Sequence, residues 1–281
     1  MANTNNFSQT PPIEELWPKF ETLDDARERR ATLVRQLLHG DHSSQKVAAK
    51  LADCRGRRRC GSPICPMCVR ALRRWFVCET VGCIRGLLSS NPSGLRGRVV
   101  SFLGIPCGEH RFGKGALPDL QRLNKTLQRR FQRHKFPLAF AGVDVSLNLF
   151  NNSIARARWQ PHLYGLVVGL TREEVKAALS AYYPPRQRAQ RPLHVKNCNS
   201  LPPVLSYCIK PYFSRHSGYR DPYNKRRNNR AQPLKGPQIP ELAVWLDQYR
   251  LADRYLLRGC RKRGDRIIVY ADVRAELLGL Q

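Results

Sequence analysis

Two neighbouring stretches of the chain alternate apolar and polar residues with the two-residue period of a β-strand. Residues 143–149, Val-Asp-Val-Ser-Leu-Asn-Leu, have one apolar face and one face that carries Asp144. Residues 159–169, Trp-Gln-Pro-His-Leu-Tyr-Gly-Leu-Val-Val-Gly, place His162 on the same face as the tyrosine two positions later. The Asn-Asn-Ser sequence between them is typical of a turn, so a hairpin is predicted. A turn centred on Ser153 would put Asp144 opposite His162, with Cβ atoms about 5 Å apart.

Helical periodicity and end signals surround this hairpin. They predict helices at residues 22–38, 44–53, 69–88, 118–136, 171–183, 202–211 and 242–256. Short apolar runs predict further strands at residues 98–105 and 193–198. The fold class predicted is therefore α+β, with an antiparallel β-sheet core flanked by helices and preceded by a cysteine-rich module.

The same pattern divides the chain into four segments. Residues 1–45 are a helical segment whose first 20 residues lack an apolar pattern, and we expect these to be partly disordered. Residues 46–92 hold the cysteine module and a helix, and residues 93–215 hold the sheet core. Residues 216–281 are predicted to be an exposed basic loop followed by a C-terminal helix.

Charge is the strongest compositional signal. Among 281 residues, 49 Lys and Arg face 21 Asp and Glu, which gives a net charge of +28. Such an excess attracts polyanions, and nucleic acid is the usual partner, although basic runs can also be simple solvated faces. No apolar run is long enough to span a bilayer and no signal peptide is visible, so we expect a cytoplasmic protein without a membrane partner. In a reducing compartment, ten cysteines favour metal binding over disulfides.

Four cysteines have the spacing of a zinc site. They are Cys54, Cys60, Cys65 and Cys68, and the last two form a Cys-Pro-Met-Cys turn that supplies two ligands at once. Four thiolates leave zinc no open position, so the predicted ion is structural. The alternatives are a set of unrelated buried cysteines, or a site in which a cysteine of the next helix, Cys78 or Cys83, replaces one ligand.

Two further groups could carry chemistry. His162 and Tyr164 share a strand face, although a lone strand histidine is more often a structural polar residue than a ligand. In Tyr207-Cys-Ile-Lys210, residues three apart share a helix face. A lysine there offsets phosphate charge or lowers the pKa of a phenol, which suits a nucleophilic tyrosine. Taken alone, this motif is equally compatible with a tyrosine packed in the core.

The order of these motifs resembles the zinc-containing rolling-circle replication initiators of bacterial plasmids, which belong to the HUH endonuclease superfamily. The resemblance covers roughly residues 54–212 and implies an HUH (RRM-like) palm. It implies that His162 and Asp144 bind catalytic Mg²⁺ or Mn²⁺, with Tyr164 in place of the family's second histidine. A neutral phenol is a poor ligand for a hard cation, so this position departs from the pattern. Tyr207 would be the nucleophile beside Lys210, with Tyr212 as the alternative.

The resemblance implies that the protein nicks single-stranded origin DNA, leaving a 5′-phosphotyrosine and a 3′-hydroxyl that primes synthesis. Host helicase or polymerase would then be further partners. Residues expected to hold the nucleic acid are Arg57, Arg58, Arg59, Trp159, Lys225, Arg226, Arg227 and Arg230, with Tyr164 and Tyr219 as further stacking candidates. The alternatives are a non-catalytic zinc-containing nucleic-acid-binding protein on a degenerate scaffold, and a single-strand transposase of the same superfamily.

Overall fold

A computed structural model of the chain describes residues 12–56, 58–106, 108, 110–113, 117–150, 153–185, 191–220 and 227–280. The helices are α1 (Ile13–Leu16), α2 (Leu23–Leu38), α3 (His42–Ala52), α4 (Pro66–Ser90), α5 (Leu120–Arg133), α6 (Arg172–Ser180), α7 (Leu201–Cys208), α8 (Gln238–Asp247) and α9 (Ala271–Leu278). The strands are β1 (Val99–Gly104), β2 (His110–Arg111), β3 (Leu138–Phe150), β4 (Ser153–Val168), β5 (Leu193–Asn197), β6 (Ser214–Arg220), β7 (Arg227–Pro233), β8 (Tyr255–Arg258), β9 (Cys260–Arg263) and β10 (Arg266–Val269). The α+β class predicted from the sequence is confirmed.

Eight of the strands form one sheet, in the order β5-β1-β4-β3-β6-β7, with β2 paired to β4 and β8 to β3. The pairing between β3 and β6 is parallel, whereas the others in this sheet are antiparallel. The predicted antiparallel sheet is therefore corrected to a mixed one. A parallel pair needs a long crossover, and here β4, α6, β5 and α7 all lie between the two strands along the chain.

One side of β3 is shared by two strands. β8 pairs with residues 139–142 and β6 pairs with residues 146–150. The carboxyl end of α7 approaches β3 beside this junction, because Gly142 has no side chain to prevent it. A Cβ atom at Gly142 would lie 1.7 Å from the carbonyl oxygen of Cys208. This close approach brings the residues that follow α7 to the face of the sheet that carries Asp144.

The two faces of the sheet bury different helices. One face packs against α5, α6 and α8, and its β3 and β4 residues include Val143, Leu147 and Trp159. The other face packs against α4, α7 and α9. Alternation along β3 and β4 puts the polar residues Asp144 and His162 on this second face. The predicted site therefore lies between the sheet and the helices α4 and α7.

Both ends of the chain differ from the prediction. Ile13 and Phe20 are buried against α4, so residues 12–20 are not the disordered segment expected; residues 1–11 lie outside the described part. The sequence predicts an exposed basic loop from residue 216 onward, but β6 and β7 form a hairpin there. Charged residues are common on the edge strand of a sheet, which is the position of β7, and this hid the strand pattern.

The C-terminal region also differs. The predicted helix 242–256 ends at Asp247, and Leu256 belongs to β8. The hairpin of β9 and β10 and the helix α9 were not predicted. Their segments are only four to eight residues long, too short for periodicity to identify. None of the helices in the described residues is both long and apolar enough to cross a bilayer.

Candidate active site and zinc centre

The hairpin of β3 and β4 has the register that the sequence predicts. Asp144 pairs with His162, and the polar face continues through Ser146. The register shifts between Asn148 and Phe150, next to the turn. The predicted pairing of Asp144 with His162 is confirmed.

Lys210 is the centre of the polar cluster on this face. Its Nζ lies 2.7 Å from Oδ2 of Asp144 and donates a hydrogen bond of 3.0 Å to the hydroxyl of Tyr164. The same ammonium lies 4.5 Å from the ring centroid of Tyr164 and 5.5 Å from that of Tyr207. Asp144 is only 3% exposed. The fold therefore brings together four of the predicted site residues: Asp144, Tyr164, Tyr207 and Lys210.

Burial alone would lower the pKa of Lys210, but the Asp144 carboxylate and the Tyr164 phenol outweigh it and raise this pKa above its usual value. Burial raises the pKa of the Tyr164 phenol, and the nearby Lys210 opposes this only in part. At neutral pH the pair is therefore an ammonium beside a neutral phenol.

Tyr207 is the accessible residue of the group. Its side chain is 52% exposed, and its ring lies 5.8 Å from that of Tyr164. We expected Tyr207 and Lys210 on one helix face, but α7 ends at Cys208 and Ile209 has a non-helical conformation. The proline two residues after Ile209 disfavours helix at its neighbour Lys210, so the helix stops before the motif is complete. The two side chains meet nonetheless, because the chain turns back over the sheet.

His162 is a partly buried, neutral imidazole. Its Nε2 shares a hydrogen bond of 2.8 Å with the hydroxyl of Ser146, and its ring lies parallel to that of Tyr164 at 6.2 Å. Burial lowers the pKa of His162 to about 4, and Lys210 and His216 add to this, whereas Asp144 opposes it. Buried Nδ1 of His162 and Oδ1 of Asp144 have no hydrogen-bond partner among the described residues.

The lowered pKa of His162 predicts a loss of stability in acid. Between pH 6.5 and about 4 the unfolded chain binds a proton at this residue that the folded chain does not, so stability falls as pH drops through that window. The contribution reaches about 3 kcal/mol at the lower end. Urea unfolding of His162→Gln should show a shallower pH dependence than the unsubstituted protein. His39→Gln, at an exposed position, is the control and should leave the slope unchanged; equal slopes for both variants would contradict the assignment.

The donor set of this cluster fits a catalytic divalent ion poorly. One carboxylate oxygen of Asp144 and the hydroxyl of Tyr164 are bonded to Lys210, and Nε2 of His162 is bonded to Ser146. Only Oδ1 of Asp144 and Nδ1 of His162 remain as protein ligands, whereas Mg²⁺ and Mn²⁺ prefer several oxygen ligands. The predicted set of Asp144, His162 and Tyr164 is therefore not arranged as a metal site.

Arginines that the sequence analysis missed hold the segment carrying Lys210. Arg254 is 1% exposed, and its guanidinium donates to the carbonyls of Lys210 (2.9 Å) and Pro63 (3.4 Å). Arg73 donates to the Ser206 hydroxyl on α7 at 3.0 Å. Neither arginine is near Lys210 in sequence, so no local motif could have identified them. Buried guanidinium groups with this many partners fix the backbone on both sides of the cluster.

Glu21 connects this frame to the N-terminal segment. Its carboxylate accepts a hydrogen bond of 2.7 Å from Arg73 and also pairs with Arg29. Arg29 in turn donates to the carbonyl of Pro211 at 3.1 Å. The residues just after the predicted disordered segment therefore help to position the end of α7.

The four predicted cysteines form one cluster. Sulfur atoms of Cys54, Cys60, Cys65 and Cys68 all lie within 4.8 Å of one another. The separations from Cys68 to Cys54 and to Cys60 are 3.6 and 3.7 Å. Tetrahedral zinc with Zn–S bonds of about 2.3 Å would set the sulfurs about 3.8 Å apart. The geometry therefore fits a structural zinc ion.

The alternatives for this site are not supported. Cys78 and Cys83 lie further along α4, where they pack against the core that this helix shares with the sheet, and neither belongs to the four-cysteine cluster. The four cysteines connect the end of α3 to the beginning of α4 and pack with residues of α2 and α8. Because Pro63 of the same loop accepts from Arg254, the cysteine module is connected to the Lys210 segment.

The predicted nucleic-acid contacts have mixed outcomes. Arg58 and Arg59 are exposed, although Arg59 also donates to the Met67 carbonyl at 3.0 Å. Trp159 is 0% exposed and lies in the core on the opposite face, so its predicted role in base stacking is wrong. Its immediate neighbours along the chain, Arg158 and Gln160, are long polar residues, which concealed its inward orientation. Arg57, Lys225 and Arg226 lie outside the described residues, whereas Arg227, Arg230 and Tyr219 belong to the hairpin of β6 and β7.

A groove of about 610 Å³ lies beside Pro211, the residue that follows Lys210. It is lined by residues of α2, the cysteine loop, the segment after α7, β7 and α8, including Arg29, Ile64, Tyr212 and Phe213. Tyr212, the alternative nucleophile, is 61% exposed in this groove. Pro211 separates it from Lys210 along the chain. The exposed ring of Tyr212 suits the stacking of an unpaired base, whereas Arg29, the basic residue of the lining, is paired with Glu21.

Comparison with known proteins gives no relative. The chain matches no protein-family model, no curated protein sequence and no solved structure.

Proposed function

We propose that this protein is a tyrosine-dependent nuclease and strand transferase of the HUH superfamily that nicks single-stranded origin DNA in rolling-circle replication. One observation carries the proposal. An exposed tyrosine, Tyr207, lies against the buried Asp144 and the partly buried Lys210 and Tyr164. These residues come from two strands and from the segment around the end of α7, and a packing role does not account for a half-exposed phenol beside a lysine.

The chemistry is a transesterification. The Tyr207 oxygen attacks phosphorus in line, the bond to the 3′-oxygen breaks, and the 5′-phosphate stays on the tyrosine. The phenol proton leaves to solvent, and the departing 3′-oxygen takes up a proton, so the step is balanced without another reactant. The positive charge of Lys210 stabilises the charge that develops on the phosphate oxygens.

The groove beside Tyr212 and the net charge of +28 support a single-stranded substrate. Basic side chains attract the phosphate backbone, and exposed aromatic rings bind unpaired bases without regard to sequence. Host replication proteins would act on the 3′-hydroxyl that the nick produces. No step above depends on the Mg²⁺ or Mn²⁺ expected from the resemblance, because Asp144, His162 and Tyr164 are not arranged as a metal site.

The experiment is covalent capture of labelled single-stranded DNA from the plasmid or element that encodes the protein, with adducts resolved on denaturing gels. The zinc-loaded protein should form an adduct, and Tyr207→Phe should reduce it at least 1000-fold because the attacking oxygen is removed. Tyr212→Phe is the matched control, since it removes the other exposed phenol of the same segment. Adduct loss with Tyr212→Phe and retention with Tyr207→Phe would reassign the nucleophile.

A second candidate, a non-catalytic nucleic-acid-binding protein, is favoured by the neutralisation of Asp144 by Lys210. It predicts salt-dependent DNA binding with no covalent adduct at all. A single-strand transposase would form the same adduct, but on the ends of a mobile element rather than at a replication origin.

A further inference from the structure

We infer that the ammonium group of Lys210 is the resident cation of this site and takes the place of a divalent metal ion in binding the scissile phosphate. The inference rests on the proposed function and specifies how it works in this chain. Three features support it: the ion pair with Asp144, the identity of residue 164, and the fixed backbone of Lys210.

The ion pair occupies the carboxylate that a metal would need. Asp144 is 3% exposed, and Lys210 approaches its Oδ2 to 2.7 Å. A buried carboxylate requires a positive partner, because leaving it unpaired costs several kcal/mol. Lys210 satisfies that requirement without a bound ion. A divalent ion would have to displace this ammonium, or bind beside it against like-charge repulsion.

Tyr164 suits an ammonium better than it suits a metal. A neutral phenol is a weak ligand for a hard divalent cation. The same phenol is a good hydrogen-bond acceptor, and it accepts from Lys210 at 3.0 Å. Its ring and the ring of Tyr207 also lie 4.5 and 5.5 Å from the ammonium, at distances where cation–π attraction acts. The histidine-to-tyrosine departure and the position of Lys210 therefore form one consistent arrangement.

Hydrogen bonds fix the backbone at Lys210 and so restrict the position of its ammonium group. The buried Arg254 binds its carbonyl at 2.9 Å, and Arg29 binds the next carbonyl, that of Pro211, at 3.1 Å. An ammonium has three protons, and Asp144 and Tyr164 account for two. With its side chain 18% exposed beside Tyr207, Lys210 has a third proton to give to a phosphate oxygen.

The test measures adduct formation without divalent ions. Zinc-loaded protein is assayed with labelled single-stranded origin DNA, once in EDTA and once in millimolar Mn²⁺. Protein-bound zinc is measured before and after each assay to verify that the structural ion is retained. We expect adduct yields within about twofold of each other. Lys210→Met should lower the yield at least 100-fold in both buffers, because the phosphate loses its cation. Lys125→Met, at an exposed position on α5, is the matched control and should match the unsubstituted protein.

A second readout does not depend on activity. Mn²⁺ is added to the unsubstituted protein and to Asp144→Asn, both without DNA, and bound Mn²⁺ is measured by electron paramagnetic resonance. We expect the two proteins to bind the same amount of Mn²⁺. An Asp144-dependent Mn²⁺ site, or an adduct that forms with Mn²⁺ and disappears in EDTA, would overturn the inference and leave the proposed nuclease standing. Absence of any adduct in either buffer would overturn both.

Discussion

Replacing Cys68 with serine should remove the bound zinc and lower the free energy of unfolding by more than about 5 kcal/mol, because zinc bound to four thiolates stabilises only the folded chain. Cys68 lies in the first turn of α4, and its sulfur lies 3.6 to 3.7 Å from those of Cys54 and Cys60. The cysteines of the loop between α3 and α4 pack with residues of α2 and α8, so loss of a zinc ion held there should loosen this contact. Zinc content by mass spectrometry of the native protein and urea unfolding would measure both effects.

The control for this experiment is Cys78→Ser. Cys78 is a half-buried cysteine of the same helix outside the cluster, so this variant should keep one zinc per chain. We expect its stability to change by about 1 kcal/mol, the usual scale of a conservative substitution. If Cys68→Ser retained zinc and unfolded with the same midpoint as Cys78→Ser, the four-cysteine site would be wrong.

Replacing Gly142 with alanine should destabilise the protein by about 3 kcal/mol or more and abolish adduct formation. The new Cβ atom would lie 1.7 Å from the carbonyl oxygen of Cys208, which is backbone and has no rotamer to escape into. Either β3 or the end of α7 must move, and α7 carries Tyr207 and delivers Lys210 to Asp144. Circular dichroism during urea unfolding gives the stability, and covalent DNA capture gives the activity.

The matched control is Gly56→Ala. The same substitution there meets no atom within 4 Å, so it should be neutral or slightly stabilising and leave the adduct unchanged. Equal stability of the two alanine variants would show that α7 does not pack on β3 as closely as described. Full adduct yield from a destabilised Gly142→Ala would instead separate the packing of α7 from the chemistry of Tyr207.

The central part of the fold could be predicted because its segments have strong local signals. The alternation of β3 gave the polar face, and turn residues near Ser153 gave the pairing of Asp144 with His162. Capping signals placed the start of α6 at Thr171. Cysteine spacing identified all four members of the cysteine cluster, since two potential ligands in one turn restrict where the others can be.

Other features depend on contacts between distant segments, which no local pattern encodes. The parallel pairing of β3 with β6 joins strands separated by β4, α6, β5 and α7. Arg254 reaches Lys210 from 44 residues away, and Trp159 faces the core although polar residues flank it. The resemblance to HUH initiators named Lys210 as a partner of the tyrosine, but only the geometry shows that Asp144 is its ion-pair partner.

The placement of Arg254 and β8 bears on how the chain could be shortened. The sequence pattern suggested a nuclease core ending near residue 215, yet β8 completes one side of β3 and Arg254 holds the carbonyl of Lys210. A fragment ending at 215 would expose the backbone of β3 at residues 139–142. It would also remove the hydrogen bond from Arg254 that fixes the segment carrying Lys210. We therefore expect the smallest fragment that keeps the Lys210 cluster intact to extend past residue 258, and any test of the proposed nicking activity on a shortened chain should trim from the termini rather than at residue 215.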